Sequence, residues 1–171
     1  MVDKQKMISP PIIDVEASGF GPQSYPIEIG VILADDTRYC QLIRPAENWT
    51  HWDESAEAVH GIQRETLFMH GLPAEEVARN LNEVIQRTTV FSDAWVVDLP
   101  WIRTLFWSAQ IEMQFSVSPL ETILREPQMA IWHETRCAVE REMHQPRHRA
   151  SVDALVIRTT FEKTLLLTQN A

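Results

Sequence analysis

Cysteine is scarce in this chain. Only Cys40 and Cys137 occur in 171 residues, and they lack metal-ligand spacing. That argues against a disulfide framework or a thiolate zinc site, and two buried or partly buried free thiols are expected instead. Long apolar runs are also missing: none reaches the roughly 18 to 20 residues that a membrane-spanning helix needs. The opening segment, Met1 to Ser9, has no apolar core of the kind found in a secretory leader. A soluble, cytoplasmic protein with no membrane partner is therefore expected. Glycine (5) and proline (10) are not in excess, and no stretch is repetitive or of low complexity, which sets aside fibrous and disordered classes. Positive charge is the last shortage, with 15 Lys and Arg against 24 Asp and Glu and a formal net charge of −9. Tight nonspecific binding to long duplexes neutralises many phosphates with Lys and Arg, so this composition argues against it. It does not exclude chemistry on nucleic acid, because a carboxylate site is acidic only until it loads divalent cations.

What is present is enough chain for one domain, residues 1–171, with its own core. Ile12, Ile13 and Val15 form a β-branched run entering Asp14 and Glu16, the pattern of a buried strand ending in carboxylates. Tyr25 to Leu33 and Arg38 to Ile43 read as two further strands, and Ala34-Asp35-Asp36-Thr37 between them has the chemistry of a hairpin turn. From Pro73 to Gln86, Val77, Leu81, Val84 and Ile85 recur at helical spacing, with Glu75 and Glu76 near the start. Thr88 to Phe91 reads as a fourth strand. The next helix would turn Asp98, Trp101, Ile102, Leu105 and Phe106 inward, and a carboxylate on that apolar stripe is anomalous. Phe115 and Val117 fit a fifth strand, and Ser118-Pro119-Leu120-Glu121 has a capping-box pattern that predicts another helix start. Trp132 to Met143 and Val152 to Leu166 read as helices on either side of the basic loop Gln145 to Arg149. The order describes an α/β sandwich with an antiparallel hairpin on a mixed sheet.

Asp14 and Glu16 lie two apart on a strand, so alternation puts both carboxylates on one face. Their repulsion is relieved most simply by a divalent cation, and hard oxygen ligands favour Mg2+ or Mn2+. A solvated rim is the plainer reading of such a pair on its own. Gly19 and Gly21 flank Phe20 just beyond it, a flexible turn where backbone can approach a ligand and an aromatic ring can stack on a base. Near the other end of the chain, His148 precedes Asp153, a proton acceptor and another oxygen ligand close together, though a surface histidine and a carboxylate serving the helix dipole are the plainer readings of each alone. Trp49 and Trp52 flank His51 and offer either an aromatic platform or packing, with packing favoured. Trp95, Trp101, Trp107 and Trp132 read as core anchors. Arg147 and Arg149 could meet phosphates or merely keep their loop solvated.

Four separated segments, in order, resemble the DEDDh (DnaQ-like) 3′-to-5′ exonucleases of the ribonuclease-H-like superfamily. Ile13 to Phe20 is similar to the family's first motif, an Asp-x-Glu on the first strand, and Ile27-Glu28-Ile29-Gly30 resembles the strand that follows. Val59-His60-Gly61-Ile62 resembles the His-Gly-Ile loop beside the terminal nucleotide. Asp98-Leu99-Pro100-Trp101-Ile102 resembles the second motif, and His148 to Ala154 the third, with His five residues before Asp. Two departures stand out. Ser92-Asp93 occupies the neighbourhood where the family carries His-Asn, so Asp93 competes with Asp98, which is preferred because Trp101 and Ile102 follow it. Ala17-Ser18 stands where Thr-Thr or Thr-Gly is common.

The resemblance implies a three-layer ribonuclease-H-like fold, with a mixed five-stranded sheet of antiparallel hairpin and parallel strands flanked by helices. It also implies a two-metal phosphodiesterase that removes 5′-mononucleotides from the 3′ end of single-stranded DNA or RNA. Asp14, Glu16, Asp98 and Asp153 would hold two Mg2+ ions, for which Mn2+ could substitute, and His148 would be the general base. Ala17, Ser18, Gly19, Phe20, His60 and Trp101 would meet substrate. For His60, a hydrogen bond that merely fixes its loop is an equal alternative. The family includes homodimers, though nothing here selects that state. Two other classes fit the same residues: a noncatalytic nucleic-acid or protein-binding module on this fold, and a hydrolase of small phosphoesters.

Overall fold

The structure is a computed structural model that describes residues 9–144 and 148–169. The expectations placed on residues 1–8 and on Arg147 lie outside the described residues. Strand β1 (Ile12–Ala17) is the middle of a five-stranded sheet, and its neighbours explain why its apolar residues are buried on both faces. On one side it pairs antiparallel with β2 (Pro26–Ile32), which pairs antiparallel with β3 (Arg38–Leu42). The turn between β2 and β3 holds Asp36 at φ 74° and is tied by Thr37 N–H donating to Asp35 Oδ1 at 2.9 Å, as its composition predicts. On the other side, parallel strands β4 (Thr89–Ser92) and β5 (Ser116–Pro119) complete the order β3-β2-β1-β4-β5.

Alternation then sorts the residues of β1 and β2 into two layers. Ile13, Val15, Ile27, Ile29 and Val31 join the larger core with Val77 and Leu81 of α3 (Ala74–Ile85) and Ile102 and Leu105 of α4 (Trp95–Ala109). Ile12 and Ile32 face the other way, toward Ala154, Ile157 and Phe161 of α6 (Ala150–Leu167), which packs on α5 (Glu126–Met143). Asp14, Glu16, Glu28 and Gly30 share this second face, because register sets Asp14 opposite Gly30 and Glu16 opposite Glu28. Among the described residues no helix is long and apolar enough to cross a membrane.

Several details depart from the sequence reading. Two seven-residue helices, α1 (Glu54–His60) and α2 (Arg64–His70), occupy ground that periodicity leaves as loop. They are too short to show a repeating stripe; α1 is set instead by Asp53, which accepts from Ser55 N–H at 2.8 Å, and by Gly61 at φ 68°. The capping-box pattern at Ser118 to Glu121 yields only a 3₁₀ turn, Leu120–Thr122. Ser118 and Pro119 are held in β5 by pairing with Phe91 and Ser92, and the long helix starts at Glu126 with Pro127 in its first turn. Trp107 is not a core anchor: it is 79% exposed, on the face of α4 that also carries exposed Val96, Pro100 and Arg103. Cys40 is an exposed free thiol, since it lies on edge strand β3, and Cys137 is partly buried and free. Trp49 is buried and stacks on Tyr25 with ring centroids 5.1 Å apart, so it belongs to the core.

Candidate active site

Carboxylates reach one pocket from three elements. β1 contributes Asp14 and Glu16, the first turn of α4 contributes Asp98, and the first turn of α6 contributes Asp153, with His148 just before that helix. All five line a cavity of about 250 Å³. Ligand atoms of Glu16, His148 and Asp153 lie within 4.8 Å of one another.

The crowding shows in the protonation equilibria. Burial pushes the Asp14 carboxyl well above its ordinary range, and the charges of Asp98, Glu16, Asp153 and Asp93 add to the effect. Burial likewise raises Glu16 to about 7, reinforced by Asp153, Glu28 and Asp98 and opposed by Arg149. Asp98 rises to about 7, again chiefly through burial, with the Ser92 hydrogen bond pulling down and Asp93 pushing up. Neighbouring carboxylates that cannot all ionise together are matched to a charge they can share, and an all-oxygen set with one imidazole suits a hard divalent cation.

Asp98 is the anomalous carboxylate of the α4 stripe, only 1% exposed, and Ser92 Oγ donates to its Oδ2 at 2.5 Å. Ser92 Oγ in turn accepts from Ala94 N–H at 3.0 Å, so the turn into α4 aims the serine at Asp98. Asp93, the rival position, is ion-paired with Arg136 of α5 and does not line the pocket. Arg136 was not singled out from sequence, and Ser92 figured there only beside Asp93 in the stretch that stands in place of His-Asn. Ser92 could have been found only as a hydroxyl six residues ahead of the buried carboxylate, and nothing local marks Arg136.

Of the residues expected to meet substrate, Ala17, Gly19, Phe20, His60 and Trp101 line the pocket. Ser18 does not. Its hydroxyl is fully buried and accepts from Tyr25 N–H at 3.1 Å, closing the turn after β1. Gly19 is less free than a flexible turn implies, since a Cβ there would lie 2.6 Å from His51 Cε1 and 2.8 Å from Asp53 Cβ. Phe20 is 71% exposed and forms an apolar lip with Val59 and Val97. His60 closes α1: its Nδ1 accepts from Ile62 N–H at 3.0 Å, which leaves the proton on Nε2. Burial lowers the His60 pKa, and Nε2 is a buried donor with no partner among the described residues. The loop-fixing bond and the place on the pocket wall both hold.

No protein-family model and no curated protein matches the sequence. Among solved structures the chain is similar to E. coli exonuclease I. The zinc-bound complex with single-stranded DNA superposes with a TM-score of 0.69 at 12% identity, over 95% of this chain and 41% of that one. The complex with a dA16 oligonucleotide gives 0.66 at 13%, over 91% and 41%. The metal-free single-stranded DNA complex gives 0.64 at 14%, over 94% and 40%. This chain thus spans about 41% of the length of exonuclease I, and what the two share at such identities is the fold: a mixed five-stranded sheet flanked by helices, the α/β architecture expected from the sequence.

Proposed function

We propose that this protein is a metal-dependent 3′-to-5′ exonuclease that hydrolyses the terminal phosphodiester of single-stranded DNA or RNA and releases 5′-mononucleotides. The observation that carries the reading is the meeting of Asp14, Glu16, Asp98, Asp153 and His148, drawn from three parts of the chain, on one pocket. In this reading Asp14, Glu16 and Asp153 would hold one Mg2+ or Mn2+, and Asp14 and Asp98 would serve a second. Bound there, the pair supplies Lewis acidity that acidifies water and offsets charge developing on the phosphate. The protein's own groups do the rest. His148 takes the proton from the attacking water, and Phe20, Val59, Val97 and Trp101 present apolar surface to an unpaired terminal base. Ala17 and Gly19 line the wall where the terminal nucleotide would sit, and His60 Nε2–H offers a neutral donor. Support for a single-stranded substrate comes from the likeness to exonuclease I, whose structures hold single-stranded oligonucleotides.

The test is release of 5′-mononucleotides from matched DNA and RNA oligomers in Mg2+ and in chelator. Activity in Mg2+ alone, lost in His148→Ala and Asp14→Ala, is the expected result. No release from any oligomer, or release left undiminished by these substitutions, ends the assignment.

A further inference from the structure

Glu28 lies on β2 opposite Glu16 and on the same face of the sheet, yet it is 1% exposed and does not line the pocket. A buried carboxylate is costly unless charge and hydrogen bonds compensate it. Here Arg149 Nε donates to both carboxylate oxygens, at 3.1 and 3.0 Å, and Arg149 Nη2 donates to Oε1 at 2.5 Å. The third donor is Ala150 N–H, at 2.8 Å from Oε2, which makes the fourth hydrogen bond. Ala150 is the first residue of α6, so this bond satisfies one of the amides that a helix start leaves free and sets a negative charge at the positive end of the helix. Gly30, two residues along β2, makes the approach possible: a Cβ there would lie 2.3 Å from Ala150 C and 2.4 Å from its O. Glu28 and Gly30 therefore pin the start of α6 onto the sheet at one spot.

The residues around that spot are those of the candidate site. His148 immediately precedes Arg149 and holds φ at 59°, a left-handed conformation that a non-glycine residue keeps only when its surroundings impose it. Asp153 follows one turn into α6. Without Glu28, the segment that carries both residues would lose four hydrogen bonds to β2. Resting on the exonuclease reading above, we propose that Glu28 and Arg149 are a positioning pair: they fix His148 and Asp153 in register with Glu16, and neither need touch substrate or metal.

The decisive variant is Glu28→Gln, which keeps the shape and removes the charge. It is measured for kcat and KM on a single-stranded oligomer and, separately, for Mn2+ affinity by electron paramagnetic resonance. Loss of supports behind metal ligands weakens affinity or activity by about 10- to 100-fold. The expected result is a fall of that size in kcat and in Mn2+ affinity, with KM near the wild-type value. Should Glu28→Gln fail to fold, Arg149→Lys, which retains charge and loses the two-pronged contact, carries the same expectation. Folded variants that match wild type in kcat and Mn2+ affinity, and differ only by a lower Tm, overturn the positioning role and leave the exonuclease reading standing. Wild-type protein that neither binds Mn2+ nor cuts overturns both.

Discussion

Asp98 is a liability for stability that the proposed chemistry would put to use. Its carboxyl is buried on an apolar stripe beside Asp14, and its folded-state pKa is raised to about 7. The same holds for Glu16, raised from 4.5 to about 7. A carboxyl whose pKa is higher in the folded than in the unfolded state binds its proton more tightly when folded, so its stabilising effect is complete below the unfolded value and disappears as pH rises through the folded one. Metal-free protein should therefore lose thermal stability between about pH 4.5 and 7, and added Mg2+ should restore it at pH 8; calorimetry across pH with and without metal reads both. Asp98→Asn, which can still accept from Ser92, should raise the Tm of the metal-free protein at pH 8 by a few degrees, since about 1 kcal/mol moves a domain of this size by about 2–4 °C. The same variant should be inactive in Mg2+. In the proposed reading His148→Ala removes the general base, so kcat should fall by about 10²- to 10⁴-fold with the fold intact by circular dichroism. At this scale Asp98 stood out as a carboxylate on an apolar stripe, whereas Asp14, Glu16, His148 and Asp153 each had a plainer reading alone and were marked by the motif resemblance. The turn of the Ser18 hydroxyl toward Tyr25, and the tautomer of His60, were not legible: both depend on which backbone N–H stands nearby.

Among the elements, the strands and the four longer helices follow from the sequence pattern, and the exceptions have local causes. α1 and α2 are a single capped turn or two, below the length at which a stripe can be read. Parallel pairing with β4 overrides the capping pattern at Ser118 to Glu121, since ladder bonds hold Ser118 and Pro119 extended. The crossing of α6 over Gly30 is the most exacting contact between elements, and backbone rather than a movable side chain faces the missing Cβ. Gly30→Ala should therefore destabilise the protein by about 1–3 kcal/mol or more, as overpacking does, visible as a lower urea midpoint. Because the displaced backbone is the start of α6, the variant should also bind Mn2+ more weakly than wild type at the same folded fraction.

For the molecule as a whole, the net charge of −9 bears on how a polyanion is held. Among the described residues, Arg149 is engaged with Glu28, and Arg136 with Asp93 and Glu140. If substrate is gripped by its terminal nucleotide rather than by a basic track, few counterions are released on binding. With about 0.7 in salt slope for each phosphate contacted on a single strand, and one or two contacts, KM should rise less than about tenfold between 50 and 200 mM salt. A steeper dependence would show a longer phosphate track than the pocket itself provides.

The sequence by itself determined the kinds of group available and their order along the chain: carboxylates at a strand end, on an apolar helix stripe and at a helix start, one imidazole ahead of the last, and a spacing of strands and helices that only a mixed sheet accommodates. Those are local properties, written in alternation, periodicity and residue type. Tertiary structure decided what lies between distant residues. The convergence of the acids, the carboxyls held near neutrality and the clasp of Arg149 on Glu28, 121 residues away, all depend on desolvation and charge across contacts that no local pattern encodes.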